Sequence, residues 1–185
     1  PKWTVRKMGD IAVYFSDRNK ELINAKVYSV TNKNGFLLQT DQFTDRKMTG
    51  DDLSNYKIIR NGEYAYNPAR INVGSIAQFN GNVGIISSLY VCFRLNPELV
   101  FDRFFNFVLK LDSVKSKIND LGEGGVRIYL WYDLFSLIPI SLPSLPEQKK
   151  IADFLTAIDE KINAVTEQLE RTNEYKKGLL QQMFV

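Results

Sequence analysis

Tyr66-Asn67-Pro68-Ala69-Arg70 is the run in this chain that comes nearest to a catalytic motif. Asn-Pro-Pro-aromatic is an amine-gripping sequence of methyl-transfer chemistry, but here Ala69 replaces the second proline and Arg70 the aromatic ring. No glycine-rich cofactor motif precedes it, and the strand pattern offers too little sheet for a doubly wound cofactor domain. The run therefore reads as a turn closing a strand. As a surface turn it can still contact nucleic acid through Asn67, Arg70 and Asn72.

The glycine-rich stretch Gly122-Glu123-Gly124-Gly125-Val126-Arg127 invites a phosphate-cradle reading that its residues do not complete. It lacks the Lys-Ser/Thr of a P-loop, and Arg127 stands where a dinucleotide fingerprint needs its third glycine. Two readings stay open. It is either the C-terminal stop of a helix, or a loop whose bare backbone brings Arg127 and Tyr129 close to a DNA groove.

Much other chemistry is excluded outright, because the 185 residues include no histidine and a single cysteine, Cys92. That rules out His/Cys metal clusters, Ser-His-Asp and Cys-His nucleophile systems and a histidine base. Neither a metal nor a cofactor is expected. Cys92 lies in the apolar run from Ile85 to Phe93 and reads as a small core residue of a strand.

The elements that would position these loops are mixed. Strand-like runs appear at 26–30, 35–38, 56–59 and 63–66, with the longest from Gly84 to Leu95. Asn34-Gly35, Asn61-Gly62 and Asn80-Gly81 supply turns between them. Asn96-Pro97-Glu98 then opens a helix with Phe101, Phe104, Phe105, Val108, Leu111, Ile118 and Leu121 on one stripe, a core face rather than a base-stacking one.

The most pronounced periodicity comes last. Ile151, Leu155, Ile158, Ile162, Val165 and Leu169 step alternately by four and three, the seam of a helix that faces another helix. Ser144 and Glu147 have capping-box spacing, and Pro146 suits a first turn. From Glu147 to Met183 such a helix is roughly 55 Å long. The pattern changes after Leu169, and Tyr175, Leu179 and Met183 form a separate cluster suited to docking on another domain or subunit.

The predicted fold class is α+β. Residues 1–143 form a globular mixed-sheet domain with packed helices, and residues 144–185 a long coiled-coil-forming helix. Charge supports the division weakly: residues 1–146 hold 18 basic against 14 acidic side chains, and 147–185 hold 6 against 7. No apolar stretch reaches the length of about 20 residues that spans a bilayer, so a cytoplasmic protein without a membrane partner is expected.

Several motifs occur in a familiar order: Met8-Gly9-Asp10-Ile11, then Ile59-Arg60-Asn61-Gly62-Glu63-Tyr64, then Gly84-Ile85-Ile86-Ser87-Ser88. Ile138-Pro139-Ile140-Ser141-Leu142-Pro143 leads into Pro146-Glu147-Gln148-Lys149-Lys150-Ile151-Ala152, and Tyr175-Lys176-Lys177-Gly178-Leu179-Leu180 follows. The whole chain resembles the specificity subunit of Type I restriction-modification systems, most specifically in the segment from Pro146 to Ala152 that leads into the long helix.

That resemblance implies a DNA target recognition domain followed by a helical spacer, in a subunit that catalyses nothing itself. Its partners would be double-stranded DNA and the methyltransferase (modification) and restriction subunits. Full members carry two recognition domains and two antiparallel helices, so one such unit is either half of a larger subunit or a half-subunit that pairs with a second copy. The helix seam would then set the distance between half-sites. Candidate DNA contacts are Lys33 and Asn34, Arg46 and Lys47, Asn67, Arg70 and Asn72, and Arg127 with Tyr129. The alternatives are an adenine-specific DNA methyltransferase fragment and a coiled-coil adaptor that never touches DNA.

Overall fold

The computed structural model describes residues 3–42, 52–124 and 128–184. Arg46, Lys47 and Arg127 lie outside them. In chain order the elements are β1 (Thr4–Lys7), α1 (Met8–Ile11), β2 (Ala12–Phe15), β3 (Val27–Thr31), β4 (Gly35–Leu38), α2 (Gln39–Gln42), β5 (Lys57–Arg60) and β6 (Tyr64–Tyr66). A 3₁₀ turn (Ile71–Val73) precedes β7 (Ile76–Gln78), β8 (Val83–Ile86) and β9 (Val91–Leu95). The helices α3 (Asp102–Val108), α4 (Asp112–Leu121) and α5 (Tyr132–Phe135), then β10 (Pro139–Leu142) and α6 (Leu145–Met183), complete the chain.

Two four-stranded sheets result, ordered β2-β9-β6-β7 and β4-β3-β8-β5, beside a two-stranded ribbon of β1 and β10. Side chains alternate across a strand, so the first sheet can bury both faces. Tyr64, Tyr66, Val91 and Phe93 point into the larger core with α3, α4 and α5. The intervening Ala65 and Cys92 point the other way, into a smaller core with Val30, Ile59 and Ile86 from the second sheet and Phe79, which directly follows β7. Cys92 is thus a buried strand residue, and burial pushes its thiol up to about 12. At physiological pH it is a protonated packing group.

The expected single strand from Gly84 to Leu95 is two strands in different sheets. A turn at 87–90, closed by the Tyr90 N–H on the Ser87 carbonyl at 3.2 Å, carries the chain from one to the other. Gly84 is needed where the two layers crowd, since a Cβ there would stand 2.7 Å from the Tyr28 ring. The expected helix from Pro97 is also divided. Asn96 Oδ1 accepts the Glu98 N–H at 3.0 Å in a local turn, and the first helix begins at Asp102. Leu111 takes an extended backbone and is exposed while Val114 is buried, which shifts the phase of the apolar stripe between α3 and α4.

The long helix is present over 39 residues, about 58 Å at 1.5 Å per residue. Its expected capping box is absent. The Ser144 side chain makes no cap bond, and Glu147 Oε1 instead accepts the Trp3 indole N–H at 3.2 Å. Glu147 therefore ties the helix to the ribbon rather than to its own first turn.

Tyr66 is fully buried against Phe135, ring centroids 5.2 Å apart, and its hydroxyl has no hydrogen-bond partner among the described residues. Burial first, then neighbouring Tyr132 and Asp133, pushes the phenol well above its ordinary value. Removing the stranded hydroxyl in Tyr66→Phe should raise stability by about 1 kcal/mol in urea unfolding. A clear loss of stability would show that the hydroxyl is satisfied.

Candidate nucleic-acid interface

Three loops that are far apart in sequence are tied together at one region of the surface. Within the turn after β6, Asn67 Oδ1 accepts the Ala69 N–H at 3.0 Å and the Asn67 N–H donates to the Ser75 carbonyl at 3.0 Å. Gly74 then takes φ +92°, a left-handed conformation that favours glycine, beside Asn32. Ser75 Oγ donates to the Val30 carbonyl at 2.8 Å, which holds this turn against the β3–β4 hairpin. On its other side the Leu130 N–H donates to the Pro68 carbonyl at 3.0 Å, joining the segment that carries Tyr129.

Lys33, Asn34 and Arg70 are exposed on these loops, and Tyr129 is partly so. Asn67 and Asn72 are half-buried. The Asn67 side-chain oxygen is committed to its own turn, so that residue shapes the loop on which Arg70 stands.

Sequence reasoning missed Trp131. It is 48% exposed and stacks on Tyr129, with centroids 6.4 Å apart and planes 17° from parallel. Alternate residues of an extended segment share a side, so the run Tyr129-Leu130-Trp131 was the available signal. Beneath it, Tyr14, Lys57, Tyr90, Trp131 and Tyr132 line a cavity of about 380 Å³. Lys57 is buried there, its Nζ donating to the Tyr90 carbonyl at 2.6 Å, and the Tyr132 hydroxyl donates to the Ala12 carbonyl.

A second concavity of about 560 Å³ beside the hairpin has Lys33, Lys110 and Lys115 among its lining residues, with Asn34, Asn80 and Asn106. Flat aromatic faces and lysine-lined hollows suit base and phosphate contacts respectively. By contrast, Arg60 and Arg94 are engaged elsewhere: both reach Asp17 Oδ2, at 3.0 and 2.8 Å, and Arg94 Nε binds Glu63 Oε1 at 2.6 Å. Burial acts to raise the Asp17 carboxyl, but the two guanidiniums outweigh it and hold the group below its ordinary value.

The helix α6 is fixed to this domain at one buried polar point. Gln148 is fully buried, and its Oε1 accepts the Phe101 N–H at 2.8 Å. Its Nε2 donates to the Leu99 and Pro143 carbonyls, each at 3.0 Å. Ala152 is buried beside it, and Ile151 and Leu155 are half-buried. From Ala157 to Lys177 every residue is exposed, so Ile158, Ile162, Val165 and Leu169 form a bare apolar stripe, with Tyr175 beyond it and Leu179 and Met183 exposed near the helix end.

A two-sheet α+β domain followed by a long helix with a bare apolar seam defines the class of this chain: a globular module joined to an extended helical arm. The particular family follows from its relatives. Residues 1–174 match the Type I restriction modification DNA specificity domain, and the chain belongs to that family.

Among curated proteins it is 34% identical over 113 residues to the Type I restriction enzyme MjaVIII specificity subunit of Methanocaldococcus jannaschii. That match covers 61% of this chain and 26% of the relative. The putative MjaX specificity subunit of the same organism is 38% identical over 87 residues, covering 47% and 20%. Among solved structures, the HsdS subunit from Thermoanaerobacter tengcongensis superposes with a TM-score of 0.70 at 18% identity, covering 98% of this chain and 48% of that one. The Type-I restriction-modification S subunit from M. genitalium gives 0.55 at 17% identity, with 89% and 41% covered. The matches thus span less than half the length of these relatives, and the structural likenesses concern the fold.

Proposed function

We propose that the domain before α6 reads one half of a bipartite DNA site, and that α6 pairs antiparallel with a second such helix to fix the distance to the other half. The joining of the β3–β4 hairpin, the 67–75 turn and the 129–131 segment supports this reading, since these linked loops carry Lys33, Asn34, Arg70, Tyr129 and Trp131. Arg70 and Asn34 can make bidentate base contacts, Lys33 a phosphate contact, and Tyr129 with Trp131 an apolar wall. Asn72 supports the same turn; Arg46, Lys47 and Arg127 are further candidates from the sequence. In this reading the chain is the specificity component, and methyl transfer and strand cleavage belong to modification and restriction subunits that it brings to DNA.

Selection from random duplexes, run on the paired protein, should return a bipartite motif, with inverted half-sites for a symmetric homodimer. Affinity should fall steeply with salt. Charge reversal in Lys33→Glu/Arg70→Glu should weaken binding at least about tenfold with an unchanged circular dichroism spectrum. Binding that survives the double reversal would instead favour the adaptor reading. The methyltransferase reading has little structural support, because the sheets are antiparallel apart from the β3–β8 pair and the Asn67 oxygen is occupied.

A further inference from the structure

The seam of α6 is self-complementary in one antiparallel register, and that register brings the far end of one helix onto a specific patch of the other copy. Ile151, Ile158 and Val165 occupy one core position of the heptad, and Leu155, Ile162 and Leu169 the other. Antiparallel pairs set the first kind against the second. Centring the pair on Glu160 places Ile151 opposite Leu169, Leu155 opposite Val165 and Ile158 opposite Ile162, so every seam residue meets an apolar partner.

One flank of that seam is already covered in the chain itself, since Gln148 and Ala152 are buried in their own domain. The other flank, with Glu147 and the exposed Phe154, is open to a second helix. On this open flank the register sets Glu147 opposite Tyr175 of the second copy. Leu179 and Met183 then run beyond the start of the facing helix, toward the ribbon of β1 and β10 from which that helix emerges.

Among the described residues, Trp3 and Val5 leave an exposed apolar surface on and beside that ribbon. Trp3 is 42% exposed, with its N–H on Glu147 Oε1 and its ring edge-on to Phe104 at 6.5 Å; Val5 is 68% exposed opposite Ser141. Tyr175 is 69% exposed, and Leu179 and Met183 are bare as well.

We infer that Tyr175 of a second copy packs against Trp3 and Glu147, with Leu179 and Met183 continuing over Val5, so that each helix end closes on the other copy's ribbon. This rests on the antiparallel pairing proposed above and gives the separate cluster after Leu169 its occupant. The phenol hydroxyl can donate to the Glu147 carboxylate already held by the indole, and the two rings exclude water from that bond. The contact sits at both ends of the pair and fixes its register, which an apolar seam alone leaves free to slide by one heptad.

The chain has two tryptophans, so Trp131→Phe leaves Trp3 as the sole indole, excited selectively at the red edge of protein absorption. Sedimentation velocity follows the mass of this variant across a concentration series without DNA, and emission follows Trp3 in the same samples. Emission should shift to the blue as the dimer forms. Adding Tyr175→Ala should abolish the shift and weaken the dimer about tenfold. Should Trp131→Phe not fold, the difference between the wild-type and Trp3→Phe spectra reports the same indole. A dimer whose Trp3 emission is constant, or whose shift survives Tyr175→Ala, overturns the docking and leaves the pairing intact. A protein that stays monomeric at every concentration overturns both.

Discussion

Aspartate at both Ile158 and Ile162 should give a folded monomer that no longer selects a bipartite site. The two positions face each other across the two-fold axis of the proposed pair, so four carboxylates would be buried together at its centre. Each charge loses its water there without a partner, and dimerisation should weaken by at least about a thousandfold, or 4 kcal/mol. The isolated fold should hardly notice: Ile158 is 40% exposed and Ile162 56% exposed, and neither touches the domain cores. Thermal unfolding should therefore move within the range of ordinary surface substitutions, about 0.5 kcal/mol. Affinity for a full site should fall by roughly two orders of magnitude or more as the second recognition event becomes intermolecular. Sedimentation velocity and anisotropy titrations on full and half sites separate the effects, and a double variant that remains a tight dimer would show that pairing does not run through this seam.

The helix was legible because its periodicity is local: a helix brings i, i+3 and i+4 together whatever the rest of the chain does. Its start was legible from Pro146, yet the role of Glu147 was not, because the group that claims its carboxylate is Trp3, 144 residues away. The run from Gly84 to Leu95 shows the same limit in a strand. Both sheets bury apolar residues, so a segment that passes from one to the other keeps an unbroken hydrophobic pattern while Ser87 and Ser88 make the turn. The division of α3 from α4 did leave a trace. Val114 is buried and Leu111 is not, a phase slip visible in the sequence only to a reader who doubts the continuous stripe.

The candidate contact residues were legible as loop residues and not as neighbours in space. Asn67 and its turn follow from residue types alone, whereas the bonds from Ser75 to Val30 and from Leu130 to Pro68 that gather the three loops are tertiary. The exposure of Trp131 beside buried Leu130 and Phe135 is likewise a tertiary property that residue type does not carry. In sequence Gln148 is one residue of the Pro146–Ala152 segment with no partner to mark it. Its role comes from the three backbone groups that it satisfies.

Those three bonds make Gln148→Ala a strongly destabilising change. Alanine would leave the Phe101 N–H and the Leu99 and Pro143 carbonyls without their partner, in a site where the side chain admits no solvent. Each stranded group costs about 1 kcal/mol or more, and the cavity adds to it, so a loss of about 4 kcal/mol in urea unfolding is expected. Gln148→Glu separates hydrogen bonding from shape. Ionised, it still accepts from Phe101 but offers the two carbonyls no donor, and burial raises its carboxyl above the ordinary value. A raised acid contributes its stability below the unfolded value and loses it as pH rises through the folded one. This variant should accordingly be more stable at pH 4 than at pH 7, and a flat difference from wild type across that interval would mean that water reaches the site. Because Gln148 joins the loop before α3 and the end of β10 to the first turns of α6, its loss should also free the angle between domain and spacer. The expected signature in selected DNA is an unchanged half-site with a variable gap.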